Sequence, residues 1–273
     1  MPELPEVETI KNYIKPILEK NKFQEVKIIN PNLRVKTPIE LEEILTNQEI
    51  KIVERRAKYI IVKCTNNINL IIHLGMTGKI RAYKNAPISQ KHDHIIFKLN
   101  NQNILIYNDV RKFGFITYEK ANNSKNISFL KKLGIEPLSK EFNKEYFKNL
   151  AKNSKIEIKK FIMDQNFIVG VGNIYACEAL FLSKINPKTI TNQLNATQYE
   201  LLVKNIKKIL KDAIAKGGST IKDFQLVNGE SGYFQNSLHV YGREKKPCKI
   251  CNSLLKKIKQ GGRSTFYCES CQK

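Results

Sequence analysis

Two groups of residues in this sequence could do chemistry. The first is Cys248-x-x-Cys251 and Cys268-x-x-Cys271, with 16 residues between the pairs. Each pair sets two thiolates on one tight turn, and the stretch between can form a hairpin that closes a tetrahedron of sulfur around one zinc ion. Four thiolates leave no open coordination position, so that zinc would be structural. A redox pair of disulfides is the competing reading. Lys256, Lys257, Lys259 and Arg263 lie between the pairs, so a basic finger projects from the site. The second group is the amino terminus. Pro2 follows Met1, and so small a penultimate residue lets the initiator methionine be removed, leaving a free secondary amine. A nucleophilic amine must be neutral. A terminal amine of pKa 7.7–8.0 is roughly a third neutral at pH 7.5, against about 0.1% for an ordinary lysine. Pro2 is therefore a competent imine-forming nucleophile, and Glu3 beside it can move protons. An ordinary start, with Glu3 and Glu6 favouring a helix N-terminus, fits these few residues as well.

The elements that must hold these groups come from a chain of 273 residues, enough for two domains. Net charge is +22, from 47 Lys+Arg against 25 Asp+Glu, which suits phosphate backbones. The abundance of Lys, Asn and Ile also fits an AT-rich genome, which raises charge without function. No run nears the roughly 18 apolar residues that cross a membrane. MPELPEVETI is acidic and unlike a signal peptide, so a cytoplasmic protein with no membrane association is expected. Cys64 and Cys177 read as core thiols.

Val7, Ile10, Ile14 and Ile17 have helical spacing, predicting a helix from near Pro5 that Pro16 bends or ends. From about 23 to 118, short apolar or alternating runs recur: 23–29, 50–53, 59–64, 70–74, 94–99, 104–107 and 113–118. Such spacing predicts an antiparallel sandwich or barrel. From about 140 the period turns helical, with candidate helices at 143–151, 155–164, 173–183 and 197–216. The last carries a Thr197–Glu200 capping box and stops at Gly217-Gly218. Residues 219–242 have no period and predict a long loop.

Longer strings carry more. MPELPEVET opens the chain. Arg55–Tyr59, His73–Gly78, Lys91–His94, Asp109–Gly114, Gly170–Ala176, Val240–Arg243 and the cysteine finger follow in order. Together they resemble the bacterial formamidopyrimidine-DNA glycosylase family over nearly the whole chain. The resemblance implies an α+β multidomain fold. An antiparallel β-sandwich flanked by helices would span 1–135. A helical helix–two-turns–helix domain would span 136–242, and a zinc-finger β-hairpin 243–273. It implies a bifunctional glycosylase and abasic-site lyase of base excision repair, a monomer acting on duplex DNA with oxidised purines such as 8-oxoguanine and formamidopyrimidines.

Residue roles follow from the same resemblance. Pro2 would attack C1′ and form an imine, with Glu3 as acid/base. Lys58 would assist β-elimination and contact phosphate. Arg263 would serve δ-elimination and phosphate binding. Met76, Arg111 and Phe113 would fill the hole left by the flipped base. Asn173 would bind phosphate at a helix start, with His92, Lys155 and Tyr241 as further DNA contacts. Ser219–Tyr233 would close over the lesion, with Gly229 and Gly232 allowing movement. Two positions depart from the family's usual Asp-Pro-Arg-Arg-Phe-Gly: Val110 replaces the proline, and Lys112 keeps charge but loses bidentate geometry. Both predict an altered opposite-base preference. Leu4 and the Met76, Arg111, Phe113 trio favour this branch over the oxidised-pyrimidine branch resembling endonuclease VIII. Pro2, Glu3 and Lys58 argue against a non-catalytic zinc-hairpin DNA-binding protein.

Overall fold

The computed structural model describes residues 2–84, 90–122, 127–219 and 234–273. The described residues form two compact units, one from those within 2–131 and 217–219, the other from 132–216 and 234–273.

In the first unit, helix α1 (Leu4–Leu18) turns Val7, Ile10, Ile14 and Leu18 into the core. It runs through Pro16 for two more residues. The Pro16 ring lacks an amide and crowds the Asn12 carbonyl, so the disturbance falls on the last turn and leaves the earlier turns intact. Two four-stranded antiparallel sheets follow, which settles the choice between barrel and sandwich. One has the order β1 (Phe23–Ile28), β6 (Asp93–Leu99), β7 (Ile104–Asp109), β5 (Gly78–Tyr83). The other runs β2 (Ile50–Arg56), β3 (Tyr59–Cys64), β4 (Ile68–His73), β8 (Phe115–Lys120). Inward residues of both sheets, among them Val62, Ile72, Ile80, Phe97 and Ile116, share one core with α1. Strand β5 was not expected from sequence. It is an edge strand of Lys and Arg with little more than Ile80 fully buried along it, so its apolar signal is thin. The short helix α2 (Leu41–Leu45) was also not expected.

In the second unit, α5 (Asn173–Leu182) is buried from Ile174 to Phe181 and forms the central rod. Around it lie α3 (Lys144–Ala151), α4 (Ile158–Ile162) and α6 (Ala196–Ala215). Helix α4 is shorter than the 155–164 pattern suggests, because Ser154 and Ile156 give their carbonyls to Asn192 and Thr191. The capping box of α6 is Asn195–Gln198 and not Thr197–Glu200. Asn195 accepts the Gln198 amide and Gln198 accepts the Asn195 amide, each at 2.9 Å. Asparagine caps at least as well as threonine. Gly217 and Gly218, at φ 73° and 81°, end the helical stretch as expected. A hairpin of β9 (Lys256–Gln260) and β10 (Arg263–Tyr267) completes the unit. In the expected loop 219–242, Phe234–Ser237 form a 3₁₀ turn, while 220–233, with Gly229 and Gly232, lie outside the described residues.

Candidate active site and nucleic-acid interface

One end of the sandwich gathers the first unit's expected site residues. Tyr59, His73 and Phe115 stand in register across β3, β4 and β8. In the other sheet Gly78 faces Asp109, and Asp93 faces Asn108, at the same end as the chain crossings 74–78 and 109–115. Lys58 sits in the two-residue turn between β2 and β3, behind Ala57 at φ 53°. It is only 8% exposed. The Arg55 guanidinium donates to the Ala57 carbonyl at 2.8 Å and so braces this turn.

Helix α1 brings the amino terminus to the same end. Glu19 accepts the Val53 amide, and the Lys20 amide reaches Ile50, so the helix C-terminus lies by the start of β2. Glu8 pairs with Arg55 at 2.7 Å, near the end of β2. The helix therefore runs antiparallel to β2, and Glu3 and Pro2, both buried, continue past Glu8 towards the Lys58 turn. Burial raises the Glu8 pKa, but hydrogen bonds from Lys11 and Arg55 outweigh it and hold Glu8 below the usual carboxylate range. Glu6, 2% exposed, accepts the Glu3 amide at 2.8 Å. It also accepts the Ser219 amide at 2.8 Å and hydroxyl at 3.1 Å.

His73 lies against this cationic ground. Burial first, then the charges of Lys58 and Arg34, push its pKa down to about 4, against a weaker pull from Asp109. Its neutral ring stacks on Phe115 and accepts the Gly75 amide at Nδ1, 3.1 Å. Gly75, at φ 60°, opens the turn that carries half-buried Met76. Exposed Arg111 and Phe113 stand on the facing turn, the guanidinium 4.7 Å from the ring centroid. His92, at φ 72°, gives its carbonyl to the Asp109 amide beside them. Met76, His92, Arg111 and Phe113 thus form one rim. Val110 is exposed, and Lys112 is at φ 56°.

In the second unit, Asn173 opens α5. Its side-chain amide donates to the Ser264 carbonyl at 2.8 Å, and its oxygen accepts Lys159 Nζ at 2.6 Å. Arg263 is exposed beside Ser264, after the Gly261-Gly262 turn. Tyr241 packs edge-on against Phe266, 5.0 Å between centroids. The buried carboxylate of Glu178 accepts the His239, Val240 and Tyr241 amides at 2.8–2.9 Å and holds that turn. Lys155 is exposed ahead of α4, and the lysine joined to Asn173 is Lys159. The sulfurs of Cys248, Cys251, Cys268 and Cys271 all lie within 4.8 Å of one another. Tetrahedral Zn–S bonds of about 2.3 Å imply sulfurs about 3.8 Å apart, and Cys248–Cys271 measures 3.9 Å.

Family models match in the order the geometry suggests. The formamidopyrimidine-DNA glycosylase N-terminal domain covers residues 1–116, its H2TH domain 133–225, and a zinc finger found in FPG and IleRS 245–273. A formamidopyrimidine-DNA glycosylase of Wolbachia pipientis (Culex pipiens strain) is 43% identical over the full length of both chains. That of Aliivibrio fischeri ES114 is 47% identical over 100% of this chain and 98% of its own. The chain belongs to the formamidopyrimidine-DNA glycosylase family.

Solved structures agree. A Lactococcus lactis family member, in complex with Fapy-dG-containing DNA, matches with TM-score 0.92 and 36% identity over 99% of each chain. The same enzyme with abasic-site DNA matches at TM-score 0.91 and 36% identity, again over 99% of each. The four cysteines are the family's structural zinc site, and the donor set suits it: four cysteine sulfurs gathered closely enough to share one ion. Among the described residues, no helix is long and apolar enough to cross a membrane.

Several residues with structural work at this family site were not found by sequence reading. Thr77 and Asp109 lie inside quoted motifs, but their role is contact between two turns. Arg34 lies 34 residues in, and only the fold sets its charge against His73. Lys159, 1% exposed, looks in sequence like a solvated lysine of a helix. Glu178 sits within an apolar helix, where a lone carboxylate was the one available signal.

Proposed function

We propose that this chain is a bifunctional DNA glycosylase and abasic-site lyase that removes oxidised purines from duplex DNA, acting as a cytoplasmic monomer. One observation carries the reading: α1 runs antiparallel to β2, directing Pro2 and Glu3 to the sandwich end that holds Lys58 and the Met76, Arg111, Phe113 rim. After loss of Met1, the Pro2 lone pair forms a bond to C1′ of the extruded nucleotide as the glycosidic C–N bond breaks. The base leaves with that electron pair and takes a proton. Glu3 supplies a proton to the sugar ring oxygen as the C1′–O4′ bond opens to an iminium. The iminium acidifies the C2′ proton. Its removal expels the 3′ phosphate, and a second elimination expels the 5′ phosphate. Lys58 assists the first and steadies phosphate. Arg263, with Asn173, His92, Lys155 and Tyr241, contacts the strand, and Arg263 also serves the second elimination. Met76, Arg111 and Phe113 fill the vacated stack. The division of labour follows the chain: chemistry in 1–135, backbone grip in 136–242, and a stiffened arginine-bearing hairpin in 243–273.

Borohydride reduction tests this directly. It should trap a covalent adduct on duplex carrying 8-oxoguanine. Trapping confined to oxidised pyrimidines would assign the sister specificity. That arm belongs in the test because one matching structure holds the Lactococcus lactis enzyme with oxidised-pyrimidine DNA. Tight binding without an adduct would leave a binding module. Full activity in protein shown by mass spectrometry to retain Met1 would remove Pro2 from the mechanism.

A further inference from the structure

The rim residues lie on two separate turns, 74–78 and 109–114, and one hydroxyl joins them. Thr77, 7% exposed, donates its only proton to Asp109 Oδ1. The Thr77 hydroxyl oxygen in turn accepts the Arg111 amide at 3.0 Å. Asp109 is fully buried, and its other carboxylate oxygen accepts the Gly114 amide at 2.8 Å. Its carbonyl accepts His94 Nε2–H, at 2.8 Å. Gly75 presses on the same place: a Cβ there would come within 2.2 Å of the Gly114 nitrogen and 2.3 Å of the Phe113 carbonyl carbon. Neither turn can shift without the other.

We propose that Thr77 is a positioning residue that couples the Met76 turn to the Arg111–Phe113 turn, and so sets opposite-base preference. The inference rests on the void-filling roles given above. Thr77 reaches no substrate in this scheme. It fixes where the Arg111 backbone begins, and hence where the guanidinium is aimed. A hydroxyl does this because it can donate and accept at once, with its proton committed to the carboxylate and a lone pair left for the amide. The coupling also bears on Val110. Where a proline would stiffen the turn before Arg111, this chain has a freer residue, and the Thr77 bond supplies the restraint from the other side.

Thr77→Val keeps the volume and removes both bonds; Thr77→Ala removes them with less bulk; Thr77→Ser keeps them. A hydrogen bond to a charged group that is lost should lower single-turnover excision of 8-oxoguanine opposite cytosine by about ten- to hundred-fold. The ratio of excision opposite cytosine to excision opposite adenine should change in Val and Ala, and return in Ser. Amide exchange of the segment containing Arg111 and Gly114 should quicken in Val and Ala but not in Ser. Unchanged exchange there, or an unchanged cytosine-to-adenine ratio with slowed excision, overturns the coupling. Loss in Ser equal to that in Val also overturns it. Wild-type excision reports on the functional reading separately, and amide exchange needs no substrate, so the two failures are distinguishable.

Discussion

His73 is surrounded by reasons to stay neutral: burial, Lys58, Arg34 and a Gly75 amide that needs its Nδ1 lone pair. Its ring should titrate with a midpoint near 4 in an NMR titration of labelled histidines. The sign of the stability effect follows. The unfolded chain takes up this proton near 6.5 and the folded chain near 4, so stability present above that window is lost as pH falls through it. The loss is on the order of 3 kcal/mol. Comparing urea midpoints of wild type and His73→Gln between pH 7 and 4 isolates it, because the variant should lack this component. Lys159 is the opposite case, a buried cation fully engaged. Nζ donates to Asn173 and Thr265 at 2.6 Å each. Lys159→Met removes a desolvated charge but strands both acceptors, and stranded buried acceptors cost about 1–3 kcal/mol in all. Urea denaturation should show that loss. Binding to an abasic duplex should weaken too, since Asn173 would lose one of the two partners that orient it.

Elements place these residues through a few ties. The Glu8–Arg55 pair holds α1 along β2. Glu178 holds the turn bearing Tyr241 from within α5, with three backbone amides and the His239 ring on one carboxylate. Glu178→Gln turns an acceptor into a donor facing amides, which should free the turn. Proteolysis near 239–243 would register it, and an unchanged cleavage pattern would deny the carboxylate this role. The cap of α6 offers a smaller, cleaner number. Asn195→Ala should cost about 1 kcal/mol, read from chemical denaturation, whereas Thr197→Ala should cost far less.

For the whole molecule, charge and metal are the broad terms. A net charge of +22 should make duplex binding fall steeply with salt. Arg263→Gln should lower the slope of log affinity against log salt by about 0.9 if the guanidinium neutralises one phosphate. A slope equal to wild type would remove Arg263 from the backbone contacts. Chelation should unfold the β9–β10 hairpin and abolish duplex binding, because the zinc stiffens the strand from which Arg263 projects. The Pro2 amine, in the other unit, should keep its reactivity towards a small aldehyde under borohydride.

The local facts were legible in the sequence. Cysteine spacing specified the zinc site, since two tight turns and a hairpin suffice to bring four sulfurs together. Period-2 runs specified most sandwich strands, and apolar helical spacing most helices, because each pattern reflects one buried face. Edge strand β5 escaped because little of it is buried, and helix α2 because five residues, though Leu41 and Leu45 reach the core, are too few to show a helical period. The α6 cap was misplaced by two residues because Asn195 and Thr197 are both good caps, and only backbone geometry at the helix start chooses between them. What tertiary structure alone decided is the company each residue keeps. Thr77 against Asp109, Lys159 against Asn173, and Arg34 near His73 join residues 14 to 39 positions apart in the chain. Such pairings arise when separate segments meet, and no periodicity within either segment records the meeting.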